Sequence, residues 1–450
     1  MEQTRELFDR NKLAKLLIPI AIEQTLVIVV GIADMMMVSN AGESAVSGIS
    51  LVNSICVLLI MVFTAIGSGG SIIVAQLIGS QDREKACKAT NQVILVCVSL
   101  ALVLSFLMLF CVKSMLSLIY GSVDQSVMDC AVIYFEISIY SFPFLALYNA
   151  SAAIFRVMNN AKISMKMSIF MNLINVSLNA VFIFGMGLGV AGAALATLIS
   201  RMAAALLFFK LLTNCNNYVF LDVKTLFKYD KFMISDILKI SIPQAMESSM
   251  FQFGKLLTQS LISGFGTAAI AANACASNLE LLCNIPISAM GVSLVTIVGQ
   301  CVGYGDYEQA RRNTRKVLKY TYMFVIPINI VLFIFAPLVT SGYNLTDAGI
   351  QYAVTLIRYY TVCSCFIAPL SFVLPNALKA AGDVKFTLFA SMTSMWVCRV
   401  GSAYLITYFF NLGVLGVWIA MTIDWVGRST FNLIRFKGKA WETKAISSKK

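Results

Sequence analysis

The chain has 450 residues, 59% hydrophobic and only 12% charged, with a net charge of +12 and no histidine. A soluble domain averages about 25% charged residues, so this apolar surplus excludes a single water-soluble core and points to a chain that crosses a bilayer repeatedly. The positive charge does not imply nucleic acid, because the basic residues fall in alternate connections, the pattern that orients membrane proteins.

Twelve helical cores are expected, near 13–38, 50–72, 91–111, 131–153, 164–185, 191–212, 237–261, 273–299, 315–337, 353–375, 385–408 and 414–436. The first apolar run starts near Leu13, is too long for the apolar region of a signal peptide and lacks an A-x-A-like end, so it is expected to remain as the first span. Pro19 and Pro243 each sit about two turns inside the first span of a half, where a missing backbone donor predicts a local distortion. Basic residues mark every second connection: Arg83, Lys85 and Lys88; Arg156, Lys162 and Lys166; Lys210 to Lys239; Arg311 to Lys319; Lys379 and Lys385. Arg5, Arg10, Lys12 and Lys15 precede the first span, and Arg435 to Lys450 follow the last. The connections between carry almost none, Lys113 excepted, so both termini are expected on the cytoplasmic side of the plasma (inner) membrane. The twelve cysteines sit mostly inside apolar runs and read as small hydrophobes.

The first half recurs in the second. A shift of 224 positions lays Pro19 on Pro243, Glu23 on Glu247, Gly67 on Gly291, Gln76 on Gln300, Asp82 on Asp306 and Gly189 on Gly413. Six spans per copy make the copies parallel, an arrangement of transporters. The expected layout is a first lobe at 1–212, a polar cytoplasmic link at 213–236, a second lobe at 237–436 and a basic tail at 437–450.

Asp34 lies in the outer half of the first span, where an ionised carboxylate costs about 2.5–3.5 kcal/mol on insertion scales and so calls for a partner or a cavity. Asn172, Asn175 and Asn179 share one face of the fifth span, and Thr197 lies in the sixth. A carboxylate with amide oxygens and a hydroxyl suits Na+ or a held proton; equally, such side chains tie helices together. Under the same shift Asp34 falls on Thr258, Asn175 on Arg399 and Asn179 on Ala403, so the second copy lacks the acid. Glu23 and Glu247 follow each proline by four residues, and Glu247, Phe251 and Lys255 share a helix face. With Arg399, Arg201, Asp424 and Arg428 they either line a substrate path or form structural ion pairs. No nucleophile–base arrangement, metal-ligand cluster or cofactor motif appears, which argues against an intramembrane enzyme.

Taken in order, several stretches resemble the multidrug and toxic compound extrusion (MATE) transporters over nearly the whole chain: Pro19 followed by Asp34, Gly42 to Gly48, Gln76-Leu77-Ile78-Gly79, Asn175 to Asn179, Gly189 to Thr197, and the second-copy stretch Gly264 to Asn273. The resemblance implies an all-α membrane protein of two parallel six-helix lobes in a V, alternating between outward and inward openings. It implies a monomer that exports amphipathic, often cationic compounds against inward H+ or Na+. Asp34, Asn175, Asn179 and Thr197 match the family's first-lobe cation site, with Asp34, Asn175 and Asn179 as the Na+ ligands if sodium is the ion. Some members carry a second acid where this chain has Asn179, and some an acid where it has Phe251. A flippase for lipid-linked or polysaccharide substrates, of related architecture, is the nearest alternative, kept open by Lys255, Arg399 and Arg201.

Overall fold

The computed structural model describes residues 7–121, 123–343, 345–410 and 412–445; Arg5, Asn411, Lys449 and Lys450 lie outside the described residues. The chain is helical, with no strand among the described residues. The helices are α1 (Arg10–Val38), α2 (Glu43–Gly79), α3 (Arg83–Tyr120), α4 (Gln125–Val157), α5 (Ala161–Asn179), α6 (Gly189–Leu212), α7 (Lys231–Ser263) and α8 (Thr267–Cys283). They continue with α9 (Ile285–Tyr304), α10 (Tyr307–Ser341), α11 (Asp347–Phe372), α12 (Leu374–Ala380), α13 (Val384–Thr393), α14 (Ser402–Phe410) and α15 (Gly413–Lys437). Two stretches widen into π turns, Ala180–Gly185 after α5 and Ser394–Gly401 between α13 and α14.

Two of the expected cores are broken by a turn. The rod at 273–299 breaks at Asn284, where Pro286 opens α9, and the tenth breaks at Val373, where Pro375 opens α12. Proline has no N–H to give to the preceding turn, so it is best accommodated at a fresh helix start. Pro19 and Pro243 instead lie inside unbroken helices. Among the described residues nine helical stretches are long and apolar enough to cross a membrane, namely α1 to α6, α9, α10 and α11 with α12. Twelve spans remain consistent with the rods; those short of the criterion are α7, α8, the π-interrupted α13–α14 and α15.

The chain divides into two compact units, Ile18–Ala245 and Met246–Lys450 with the residues up to Leu17. Both divisions fall within two residues of a first-span proline. Residues 213–230 are pinned to the first unit. The Arg83 guanidinium donates to the carbonyls of Cys215 (3.3 Å), Asn217 (3.2 Å) and Tyr218 (2.8 Å). Asn91 bonds the Asp222 backbone in both directions, and Gln92 donates to the Lys228 carbonyl. In the second unit Arg311 grips the chain after α15 in the same way, donating to the carbonyls of Phe436, Lys437 and Gly438 and pairing with Glu442 at 2.6 Å.

The duplication is visible in the backbone. Asp82 caps α3 by accepting the Lys85 N–H, and Asp306 caps α10 by accepting the Gln309 N–H. Left-handed residues recur in pairs: Gly42 with Gly266, Gln81 with Gly305, Asn159 with Gly382, and Gly189 with Gly413. The third pair is 223 apart and the others 224, so the second copy holds one extra residue between Gly382 and Gly413. The longer π stretch, Ser394–Gly401, is where such an insertion is absorbed.

Candidate functional site

The helices of the first unit bring one carboxylate to two amides. Asp34 lies one turn from the end of α1, Asn175 and Asn179 stack one turn apart on α5, and Thr197 faces them from α6. Asn179 Nδ2 donates to Asp34 Oδ1 at 2.8 Å. An ionised carboxylate can only accept, so the Asn175 amide presents its NH2 as well, 2.8 Å from Oδ1 and 3.2 Å from Oδ2. Thr197 Oγ1 lies 3.4 Å from the Asn175 amide and gives its own proton to the Ala193 carbonyl. Asn175 and Asn179 are buried, and Asn179 Oδ1 is buried without a hydrogen-bond partner. All four sequence-derived residues therefore meet.

They line a cavity of about 260 Å³. Its remaining polar wall is Asn53, Tyr134, Asn172, Ser200 and Arg201, against apolar Val30, Ile49 and Ala193. Asn172, expected on the amide face, lines the cavity but bonds Ser168 at 3.5 Å. Arg201 supplies the counter-charge: its guanidinium is anchored on Ser141 at 2.7 Å while lining the same space as Asp34. Sequence reasoning left Arg201 outside the site, although Thr197, Ser200 and Arg201 at spacings of three and four share a helix face. Tyr134 and Asn53 had no comparable local signal.

Glu23 is buried away from that cavity. It accepts from Ser164 at 2.9 Å and lies 3.8 Å from the Arg156 guanidinium. Glu247 has the same surroundings in the second unit, pairing with Lys379 at 2.9 Å and accepting from Ser391 at 2.8 Å. The two glutamates thus clip the first span of each copy to its fourth and fifth.

Thr258, the repeat mate of Asp34, is spent on its own helix, donating to the Lys255 carbonyl at 2.9 Å. Nearby, Lys255, Arg399 and Arg428 gather over the Phe251 ring at 5.7, 5.8 and 4.9 Å from its centroid. Buried Asp424 is shared by Arg428 at 3.2 Å and Arg399 at 3.8 Å, and also accepts from Ser394. No group of three metal-ligating His, Cys, Asp or Glu side chains occurs among the described residues.

The MatE family profile matches residues 19–181 and again 243–405. The chain is 26% identical over 443 residues to the uncharacterized transporter YisQ of Bacillus subtilis, covering 95% of this chain and 94% of that one. It is 24% identical to the probable multidrug resistance protein NorM of Thermotoga maritima, covering 97% and 94%. Among solved structures, an outward-facing multidrug resistance MATE family transporter of the MOP superfamily superposes with a TM-score of 0.88 at 21% identity, over 95% of each chain.

Proposed function

The chain belongs to the MatE family of membrane transporters, and on that premise we propose that it is a secondary antiporter in which a cation, H+ or Na+, is exchanged for an amphipathic small molecule at the expense of the ion gradient. The observation that carries this reading is the Asp34 carboxylate held by Asn175 and Asn179 inside a cavity, with the buried Asn179 Oδ1 lacking a partner. A proton on Asp34 would neutralise the carboxylate in place. Na+ would instead draw the amide oxygens and the Thr197 hydroxyl towards itself, and that set of hard oxygens suits it. Either ion removes a negative charge from a space shared with Arg201, which alters how α1, α5 and α6 hold together. Ion and substrate then favour different arrangements of the same protein, and that differential affinity is what coupling requires.

The test is efflux from proteoliposomes with pH and Na+ gradients imposed separately. The wild type should respond to one gradient and Asp34→Asn to neither; undiminished gradient-driven efflux by Asp34→Asn would remove the carboxylate from the mechanism. Thr197→Val separates the two ions, because it deletes an oxygen ligand for Na+ but no proton acceptor. We assign both termini to the cytoplasmic side, supported by the alternation of basic connections.

A further inference from the structure

We propose that the second unit binds the anionic head of an amphipathic substrate, a carboxylate, sulfonate or phosphate, with Lys255 as the charge that meets it and Phe251 beneath. The proposal rests on the reading of the chain as an exporter and names the class of molecule it carries.

Four observations support it. Among the described residues the helical stretches that fall short of the length-and-hydropathy criterion for a span are α7, α8, α13–α14 and α15, with α8 short in length at 17 residues, and these stretches carry Lys255, Glu280, Arg399 and Asp424 with Arg428. Charge in spanning helices is costly, and here five ionisable side chains fall on neighbouring stretches of one unit, as a ligand path would require. The charges also do not balance. Lys255, Arg399 and Arg428 are three cations, and Asp424 and Glu280 are the two carboxylates acting on them. Asp424 is taken by the two guanidiniums, and Lys255 makes no ion pair among the described residues.

The donors are incomplete as well. Arg399 and Arg428 are 7% and 5% exposed, and the Nε–H of each is buried without an acceptor. Unsatisfied guanidinium donors are costly, and an oxyanion is the partner that satisfies them best. Finally, Lys255 is accessible. It is exposed on α7, yet it lies on the face of Phe251 and Gln259. The opposite face carries Phe253, Leu256 and Leu257, exposed apolar side chains that form an apolar groove with Met250 and Trp396 and suit lipid. The ammonium thus lies on the side away from that stripe, leaning on a ring shared with two buried guanidiniums.

This departs from the cationic compounds that the family resemblance implies. A permanent cation would meet a surplus positive charge here, whereas an anion would neutralise it. The anionic head can belong to a free amphiphile or to a lipid, and the experiment separates them. Equilibrium binding to the purified full-length protein in detergent, without any gradient, is measured for radiolabelled taurocholate and for ethidium, and exchange of fluorescent phosphatidylglycerol between leaflets is followed in proteoliposomes. The wild type should bind taurocholate in preference to ethidium. Lys255→Gln should weaken that binding at least tenfold, Lys255→Arg should restore most of it, and Lys255→Glu should reverse the preference. Leaflet exchange that is lost in Lys255→Gln would identify the lipid as the source of the anion. Binding without a gradient keeps this outcome distinct from a failure of ion coupling. The inference is overturned if Lys255→Gln, eluting as a monodisperse protein, leaves taurocholate affinity within twofold and leaflet exchange intact, or if the wild type prefers ethidium.

Discussion

Asp34 is surrounded by donors, and the oxygen that a cation would need is near but turned away. Both amide NH2 groups point at the carboxylate, and Asn179 Oδ1 is left buried with nothing to accept. Asn179→Leu keeps the volume but removes both the donor and the orphan acceptor, so it should weaken ion-driven efflux severely while the protein still folds; efflux under imposed gradients reads this. Arg201 acts in the opposite sense, as a fixed positive charge lining the space that the proposed coupling ion would enter. At an effective dielectric of about 20, a like charge sharing a small cavity is worth on the order of 1 kcal/mol or more. Arg201→Gln should therefore lower the half-saturating ion concentration by roughly threefold to tenfold, measured as the ion dependence of the initial efflux rate.

At the scale of elements, close packing and buried pairs hold each unit. A Cβ added at Gly67 of α2 would stand 3.2 Å from the Ala150 Cα of α4, with backbone as the neighbour. Neither helix can yield cheaply, so Gly67→Val should cost about 1–3 kcal/mol by overpacking and lower the melting temperature in detergent. The pair Glu247–Lys379, both partners 12% exposed, behaves differently. Removing one partner of a buried pair typically costs about 3–5 kcal/mol, while replacing both with apolar groups is often near neutral. Glu247→Gln should thus be less stable than Glu247→Leu combined with Lys379→Met, again read by thermal melting.

The sequence was informative at this scale because duplication supplies its own control. The caps at Asp82 and Asp306 and the left-handed turns at Gly42 and Gly266 follow from one shift applied to one chain. The four members of the Asp34 site were legible because carboxylate and amides in apolar helices stand out as costs. The breaks at Asn284 and Val373 were less legible, since a proline within an apolar run can either sit inside a helix, as Pro19 does, or start a new one. The shared Asp424 and the gathering of three cations on Phe251 needed the tertiary structure. Their residues come from three separate stretches whose register is displaced by the π turn.

For the whole molecule, the claims concern orientation and coupling. Positive charge on alternate connections is the ground for the proposed cytoplasmic termini, and that proposal predicts that a fluorescent protein fused after Lys450 is bright and an alkaline phosphatase fused there inactive; the reverse pattern would invert the topology. Coupling requires that substrate and ion oppose one another through the protein. The most direct measurement is ion release on substrate addition: purified protein loaded with radiolabelled Na+, or held in weak buffer to register protons, is titrated with taurocholate and, in parallel, ethidium. The account predicts that one of these ligands expels a near-stoichiometric amount of one ion from the wild type and none from Asp34→Asn. Equal release from both proteins would contradict it.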